Sequence, residues 1–248
     1  MAGCAGVEGS GPKELPPTSR FADDDGSASP ALVAVLSRHA AGAADLADVV
    51  AALVGTRVLV PVLAHEEDAA RPTARGHGDG EGSTAVVAVQ APDGRTALPV
   101  FTGVQALSRW RPDARPVPAE VARAAASALA EGWQLLVLDP GGPVVVVVPR
   151  PAVQSLAIGL PWVPAVRGDV VRADVRAAVG RVLTGVPHLR SVAVEPGRRS
   201  ELAVVLGVSP GLGRAALDAV VAEVNARLAT DPLVAQADSL ELRPVSAG

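Results

Sequence analysis

Residues 204–221 read VVLGVSPGLGRAALDAVV, which is an apolar run of strand character, a glycine-rich turn and a segment of helical character. Two known motifs overlap in the turn. Residues 207–211 match G-x-S-x-G, the nucleophile elbow of hydrolases, and residues 211–216 match G-x-G-x-x-A, a fingerprint of dinucleotide binding. Each motif belongs to a large fold built on a parallel sheet. The fold class therefore depends on whether either motif is genuine.

The chemistry of the nucleophile elbow is missing. In this motif the residue after the serine donates its backbone N–H to the oxyanion hole, and here that residue is Pro210, which has no N–H. Loss of one such donor costs roughly 3–4 kcal/mol of transition-state stabilisation. All four histidines precede Ser209, whereas the catalytic histidine of this fold follows its serine. We therefore predict no catalytic residue here, and expect Ser209 to cap a helix that Pro210 begins.

The dinucleotide fingerprint lacks its structural context. It needs a following parallel strand that ends in a ribose-binding acid and then a second βαβ unit. Asp231 has about the right spacing, but it stands next to Pro232 in a predicted loop, and too little sequence follows for a second unit. No cofactor is expected. A weaker alternative remains, because free N–H groups at a helix start can hold a phosphate or another anion. The candidate residues for such an anion-binding turn are Ser209, Gly211, Gly213 and Arg214.

The composition excludes several classes of function. The chain has 22 basic and 26 acidic residues and a net charge of −4, whereas a general nucleic-acid binder carries a basic excess. No uncharged apolar run approaches the ~18 residues that a membrane span requires, and no secretory signal is visible. Cys4 is the single cysteine, so no disulfide can form within the chain. These features predict a cytoplasmic protein that binds neither nucleic acid nor a membrane.

Residues 65–83 collect several potential metal ligands, among them His65 and His77. The segment does not match H-E-x-x-H, because Ala69 stands where the second histidine would be. A metal site also needs ligands that are held in place, whereas this segment is rich in glycine. We therefore expect a solvated loop and no metal.

The pattern of apolar residues and turn signals predicts an α+β fold. We expect a mixed sheet of hairpins with flanking helices, followed by a small α-β-β-α-β domain. Residues 1–20 lack hydrophobic periodicity and are predicted to be a disordered tail. Two prolines and two glycines in residues 159–168 indicate a domain boundary, which gives domains at 21–160 and 161–248. The five valines of residues 144–148 show no alternation and predict a central strand that is covered on both faces.

Residues 97–118, ALPVFTGVQALSRWRPDARPVP, hold two of the few aromatic side chains. The pattern predicts a short helix over 104–110 and a stiff connector over 111–118. One interpretation is that the two aromatic rings anchor the helix on the sheet, where truncating either would cost about 3–5 kcal/mol. The other is a tryptophan- and arginine-rich contact patch for a protein partner, since this composition is enriched at binding hot spots. The candidate residues are Phe101, Arg109, Trp110, Arg111 and Arg115.

Three segments resemble the SseB family of bacterial proteins: FADDDGSASPALVAVL at 21–36, the 97–118 segment and LVLDPGGPVVVVVPRPAV at 136–153. The most specific part is the hydrophobic-Pro-hydrophobic-Phe-Thr sequence at 98–102, followed by a helix that ends in tryptophan. The resemblance covers roughly residues 21–160. The α-β-β-α-β remainder is similar to the SseB C-terminal domain, with vaguer motifs.

The resemblance implies a cytoplasmic protein without an established catalytic mechanism. The family is named for enhanced serine sensitivity and has a suggested link to a rhodanese-like sulfurtransferase. It supplies no catalytic residues that can be matched to this chain. The resemblance thus implies a non-catalytic regulatory or protein-interaction module with a protein partner. The alternative is a small-ligand or anion sensor that uses the glycine-rich turn at 207–214.

Overall fold

Helices and short strands alternate along the part of the chain that the structure describes, which is residues 21, 24–64, 84–91 and 93–247. In this computed structural model these residues form seven helices and twelve strands. The predicted α+β class is confirmed. The first unit contains α1 (Pro30–Ala40), α2 (Leu46–Leu53), β1 (Arg57–Ala64), β2 (Thr84–Val86), β3 (Val89–Gln90), β4 (Thr96–Val100), α3 (Val104–Trp110), β5 (Arg115–Glu120), α4 (Val121–Ala130), β6 (Leu135–Leu138), β7 (Val146–Val148) and α5 (Arg150–Ala157).

The first two helices begin where local sequence signals place them. Pro30 is the first residue of α1, a position where its missing N–H is not needed, although the Ser29 side chain makes no capping bond. α2 has a capping box: the Asp45 carboxylate accepts the N–H of Asp48 at 2.9 Å, and the Asp48 carboxylate accepts the N–H of Asp45 at 3.0 Å. These caps satisfy backbone donors that the first turn would otherwise leave free.

Two sheets of the first unit meet at one residue pair. One has the strand order β2-β1-β5 and the other the order β3-β4-β6-β7. Leu59 of β1 and Phe101, which follows β4, exchange two backbone hydrogen bonds of 2.8 and 2.9 Å. β4 and β6 are parallel, from Ala97 opposite Leu135 to Val100 opposite Leu138. A parallel pair requires a long crossover, which here contains α3, β5 and α4.

The main core of the first unit lies between the helices and the four-stranded sheet. Its buried side chains come from α1, α2, α4 and α5 on one side and from β1, β4, β6 and β7 on the other. A smaller cluster contains Leu59, Phe101, Leu107 and Ala114, with Trp110 packed against it. This second cluster fixes α3 at the end of β4, where the candidate site lies.

The prediction of a central strand for the five-valine run is wrong. β7 lies at the edge of its sheet, and only Val146–Val148 pair with β6. Val146 and Val148 are buried, whereas Val145 and Val147 are 48% and 40% exposed. The run therefore has one covered face, because the helices pack on only one side of this strand.

The predicted stiff connector over 111–118 is also wrong in its second half. Residues 115–120 form β5, which pairs antiparallel with β1 from Arg115 opposite Val62 to Glu120 opposite Arg57. β5 is an edge strand, and an edge strand tolerates proline because its outward-facing N–H groups need no partner. As a consequence, α4 begins only at Val121, directly after β5.

The second unit has its own sheet and its own core. Its elements are β8 (Val166–Arg167), β9 (Val170–Val171), α6 (Ala173–Val182), β10 (Leu189–Pro196), β11 (Leu202–Val208), α7 (Arg214–Leu228), a 3-10 turn (Val234–Gln236) and β12 (Leu240–Ser246). The sheet has the order β10-β11-β12, with β11 and β12 parallel and joined through α7. The predicted α-β-β-α-β order is confirmed, and a short β8–β9 hairpin that the sequence did not predict precedes it.

The two cores meet at the predicted boundary segment. Trp162 packs into the first core, and Ala165 packs into the second. Ion pairs also cross between the units: Arg95 donates two hydrogen bonds to Asp238, of 2.7 and 3.0 Å. The division of the chain into two domains stays a prediction.

None of the helices in the described ranges combines the length and the apolarity that a membrane crossing needs. The predicted tail at 1–20 and the predicted loop at 65–83 lie outside the described residues.

Candidate functional site

A cleft of about 530 Å³ opens where the parallel strands β4 and β6 end. The carboxyl ends of parallel strands are the edge at which open α/β sheets bind ligands. Here the chain after β4 leads through Thr102 into α3, and the chain after β6 leads directly into Asp139. The rim of the cleft comes from residues 25–28 and from the turn at 142–144. Two strand ends that are distant in sequence thus form one concave surface.

Asp139 is the buried acid of this cleft, with only 8% of its surface exposed. One carboxylate oxygen accepts the backbone N–H of Thr102 at 2.8 Å, and the other accepts the Thr102 hydroxyl at 2.7 Å. Burial raises the pKa of Asp139, while the bonds from Thr102 and the charge of Arg109 act in the opposite direction. The backbone of Asp139 has a φ of 49°, in the left-handed region that aspartate and asparagine tolerate better than most residues.

Arg57 fixes the loop that forms one wall of the cleft. Its guanidinium binds the Asp24 carboxylate at 2.6 Å and donates to the carbonyls of Ser27 at 2.7 Å and Thr102 at 2.9 Å. The Gly26 carbonyl accepts the N–H of Val104, the first residue of α3, at 2.9 Å. Gly26 has a φ of 75°, and a Cβ at this position would overlap the Val104 side chain. The loop, the strand end and α3 are therefore held as one unit.

The candidate contact patch is divided by the structure. Phe101 is fully buried and packs with Leu59 and Leu107, so its assignment to a partner surface is wrong: an apolar ring under α3 is more stable in the core. Its ring centroid lies 5.2 Å from that of Trp110, with the two planes at 42°. This contact supports the interpretation that the two rings anchor α3. Trp110 is only half-buried, so part of its ring also reaches the surface.

The three arginines of the patch have different surroundings. The guanidinium carbon of Arg111 lies 6.0 Å from the centroid of the Trp110 ring, within cation–π range, and Arg111 also pairs with Asp113 at 3.3 Å. Arg115 is exposed on β5, next to the cluster that holds Trp110. Arg109 lines the cleft instead. We call Trp110, Arg111 and Arg115 the Trp110 surface.

The turn at 207–214 differs from its prediction. The helix α7 begins at Arg214 with Gly213 as its N-cap, so the expectation that Ser209 caps the helix and Pro210 begins it is wrong. Ser209 instead binds the chain just before the neighbouring strand β10, because its N–H and its hydroxyl both donate to the His188 carbonyl, at 2.9 and 3.3 Å. The hydroxyl also accepts the Nε–H of Arg190 at 2.9 Å.

The remaining anion-turn candidates lie between that serine and the helix. Gly211 has a φ of 75°, which turns the chain before α7 starts. Arg214 is 95% exposed, and its nearest ion-pair partner is Asp218 at 3.8 Å. Arg190 also contacts this turn through Ser209. The sequence did not indicate Arg190, because it lies on β10 and outside the motif.

Within the described ranges, no group of three or more histidine, cysteine, aspartate or glutamate side chains could hold a metal ion. His65 and His77, the histidines of the possible metal-binding loop, lie outside those ranges, as does Cys4.

Sequence reasoning missed the cleft residues Thr102 and Asp139. Asp139 stands in an Asp-Pro-Gly-Gly sequence that indicates a turn, and Thr102 follows the conspicuous Phe101. A signal was nevertheless present, because each residue follows directly after an apolar run, at 97–101 and at 135–138. Only the parallel pairing of those strands brings the two residues together.

The fold and the cleft define a two-core α+β protein with a concave site at the end of a short parallel strand pair. A family model described as the SseB protein N-terminal domain matches residues 32–155, half of the chain. The chain belongs to the SseB family. The second unit has no family match, so its likeness to the SseB C-terminal domain stays a prediction. No curated protein and no solved structure matches the chain.

Proposed function

We propose that this chain is a non-catalytic regulatory module that binds a protein partner through the Trp110 surface. The observation that carries the proposal is the fixed Trp110 ring, which packs on Phe101 from below and lies beside the Arg111 guanidinium. An aromatic ring that is already held in place loses little side-chain entropy when a partner covers it. Tryptophan and arginine are also the residues most enriched at interface hot spots.

The arginine on the neighbouring strand supports the same surface. Arg115 is exposed, and among the described residues it takes part in no ion pair. An uncommitted guanidinium on an exposed strand suits an acidic or carbonyl-rich partner surface. The net charge of −4 and the scattered arginines favour a protein partner over nucleic acid. We place the module in the cytoplasm, away from membranes.

The proposal of a non-catalytic role rests on the side chains around Ser209. The Ser209 hydroxyl is hydrogen-bonded to a backbone carbonyl and to Arg190, rather than to a histidine ring that could act as its base. Pro210 supplies no N–H to an oxyanion. The family's link to serine sensitivity suggests a regulatory role, and a rhodanese-like sulfurtransferase from the same organism is the partner to test first.

The experiment is a binding titration between the purified chain and that sulfurtransferase, by calorimetry or surface plasmon resonance. Arg115→Glu reverses a charge on an exposed side chain, so we expect it to weaken binding about tenfold or more without changing the melting temperature. Arg176→Glu is the matched control, because Arg176 is equally exposed but lies on α6 of the second unit. We expect the control to bind like the wild type.

Trp110→Ala completes the test because it separates a contact from a packing role. A contact role predicts lost binding with a melting temperature close to that of the wild type, and a packing role predicts an unfolded or strongly destabilised variant. Unchanged binding by a folded Arg115→Glu variant would refute the Trp110 surface as the interface.

A second candidate function is anion sensing by the turn at 207–214. Arg190 favours it, because its hydrogen bond to Ser209 brings a second guanidinium to a turn that already contains Arg214. Backbone N–H groups at the start of α7 would add to the attraction for a phosphate or a carboxylate.

A further inference from the structure

The cleft at the ends of β4 and β6 contains a buried negative charge that has little compensation. Each oxygen of Asp139 accepts one hydrogen bond from Thr102, and a carboxylate oxygen can accept two. None of the described basic side chains forms an ion pair with Asp139, and Arg109 acts on it only as a more distant charge. A buried carboxylate in this state favours a cationic partner. The free lone pairs of Asp139 therefore suit an ammonium group.

A positive charge lines the same cleft. Arg109 extends from α3 into the lining, and in the described part of the chain it has no carboxylate within ion-pair distance. A simple amine would be attracted by Asp139 but repelled by Arg109. A molecule with both an ammonium and a carboxylate group satisfies both residues, because its two charges are opposite to those of Asp139 and Arg109.

The walls between these charges are mostly apolar. The apolar lining side chains include those of Val33, Leu36, Val104, Ala106, Pro143 and Val144. Val33 and Val104 are 44% and 37% exposed, so a bound apolar group would remove surface from water on both. A short aliphatic side chain on the ligand would be covered by these apolar groups. The volume of about 530 Å³ lies in the range of ordinary small-molecule sites.

We propose that this cleft binds a free α-amino acid with an uncharged aliphatic side chain, with the ammonium group on Asp139 and the carboxylate on Arg109. The rim acid Asp25, whose carboxylate accepts the N–H of Ser27 at 2.8 Å, adds a second negative charge to the lining of the cleft. The site does not use the Trp110 surface, so the amino-acid proposal can be tested independently of the proposed protein partner. Binding would tie together the loop at 25–28, α3 and the turn at 142–144, which are its walls.

The test is calorimetric titration of the full chain with glycine, L-alanine, L-valine and L-leucine. We expect affinity to rise with the size of the aliphatic side chain, because more apolar surface is buried. Isoamylamine lacks the carboxylate of leucine, and N-acetyl-L-leucine lacks its ammonium charge. Each analogue is expected to bind about tenfold more weakly than L-leucine, the effect of losing one charge-assisted hydrogen bond.

Two variants test whether Asp139 binds the ammonium group of the ligand and Arg109 its carboxylate. Asp139→Asn keeps an acceptor for Thr102 and tolerates the left-handed backbone, and Arg109→Gln changes an exposed residue that contributes little to the core. Both variants are expected to bind L-leucine at least about tenfold more weakly than the wild type does. In Arg109→Gln the preference for leucine over isoamylamine should disappear, which a merely structural role for Arg109 would not produce. Asp113→Asn and Arg176→Gln are controls outside the cleft and should bind like the wild type.

The proposal is overturned if none of the four amino acids binds, or if isoamylamine binds as tightly as L-leucine. It is also overturned if a folded Arg109→Gln variant keeps the affinity of the wild type. Should Asp139→Asn fail to fold, the analogue series and Arg109→Gln still decide the question.

Discussion

The two pairs of parallel strands in the described part of the chain end in different ways. Where β4 and β6 end, Thr102 and Asp139 face a cleft, and the Asp139 carboxylate keeps unused hydrogen-bonding capacity. Where β11 ends beside β12, Ser209 is tied to the His188 carbonyl and to Arg190. The second end contains the residues that look catalytic in sequence, and the first contains the better-formed site.

The difference shows what a short motif can and cannot encode. G-x-S-x-G describes residues that are adjacent in sequence, and its function depends on a helix that follows the serine at once. Here α7 begins only at Arg214, after the Gly211 turn. The cleft, by contrast, joins two residues that are 37 positions apart. A site of this kind arises from strand pairing, and no contiguous motif records it.

The largest expected effect tests whether the first strand end depends on its aromatic packing. Phe101→Ala removes a fully buried ring from beneath α3 and should lower the free energy of unfolding by about 3–5 kcal/mol. Ser209→Ala at the other strand end removes exposed hydrogen bonds and should cost about 1 kcal/mol or less. Urea unfolding of both variants measures the contrast. Equal losses would mean that the two ends are equally built into the fold.

A smaller effect concerns the charge of Asp139. Burial raises the pKa of Asp139 in the folded protein above the ordinary 3.8 of the unfolded chain. At pH values between the unfolded and the folded pKa, the folded state therefore binds more protons than the unfolded state. Stability must then fall as the pH rises through that window. Asp139→Asn cannot titrate, so the unfolding free energy of the wild type minus that of the variant should decrease as the pH rises from 3.8.

The same comparison removes the effect of a second, partly buried acid, Glu201. Burial also raises the pKa of Glu201, but that group is present in both proteins and cancels in the difference. Unfolding in urea at several pH values gives the two curves. A difference that increases with pH would show that Thr102 and Arg109 outweigh burial, and would place a compensated carboxylate in the cleft. Asp139→Ala leaves both Thr102 donors unpaired. This variant should therefore lower the free energy of unfolding by about 1–3 kcal/mol relative to the wild type.

Periodicity, caps and turn residues predicted the helices and strands that depend on interactions between residues close in sequence. The helix over 104–110 and the order of the second unit follow from periodicity, caps and turns, and the structure has them at these positions. β5 was missed because Pro116 and Pro118 argue against a strand unless it lies at an edge, and sheet order is not a local property. The five-valine run was misplaced for the same reason. Asp139 could not be recognised as a site residue, since its position next to Thr102 in the cleft depends on the parallel pairing of β4 with β6.

The smallest expected effect belongs to the turn at 207–214. An anion near a helix start gains about 0.3–1 kcal/mol at low ionic strength, and Arg214 is 95% exposed and therefore strongly hydrated. Inorganic phosphate should raise the melting temperature of the wild type by roughly 1–3 °C at low salt. The shift should shrink in high salt, where exposed charges are screened, and it should disappear in Arg214→Ala.

Arg198→Ala is the control for this last measurement, because Arg198 is an exposed arginine of the same unit outside the turn. L-serine, which carries no net charge, should stabilise the protein less than phosphate does at this turn. If phosphate has no effect, or acts equally on Arg214→Ala, the turn is a structural connection and the anion alternative is refuted. If phosphate instead stabilises the protein more than L-leucine does, the contrast between the two strand ends reverses, and the motif-bearing end is the stronger binding site.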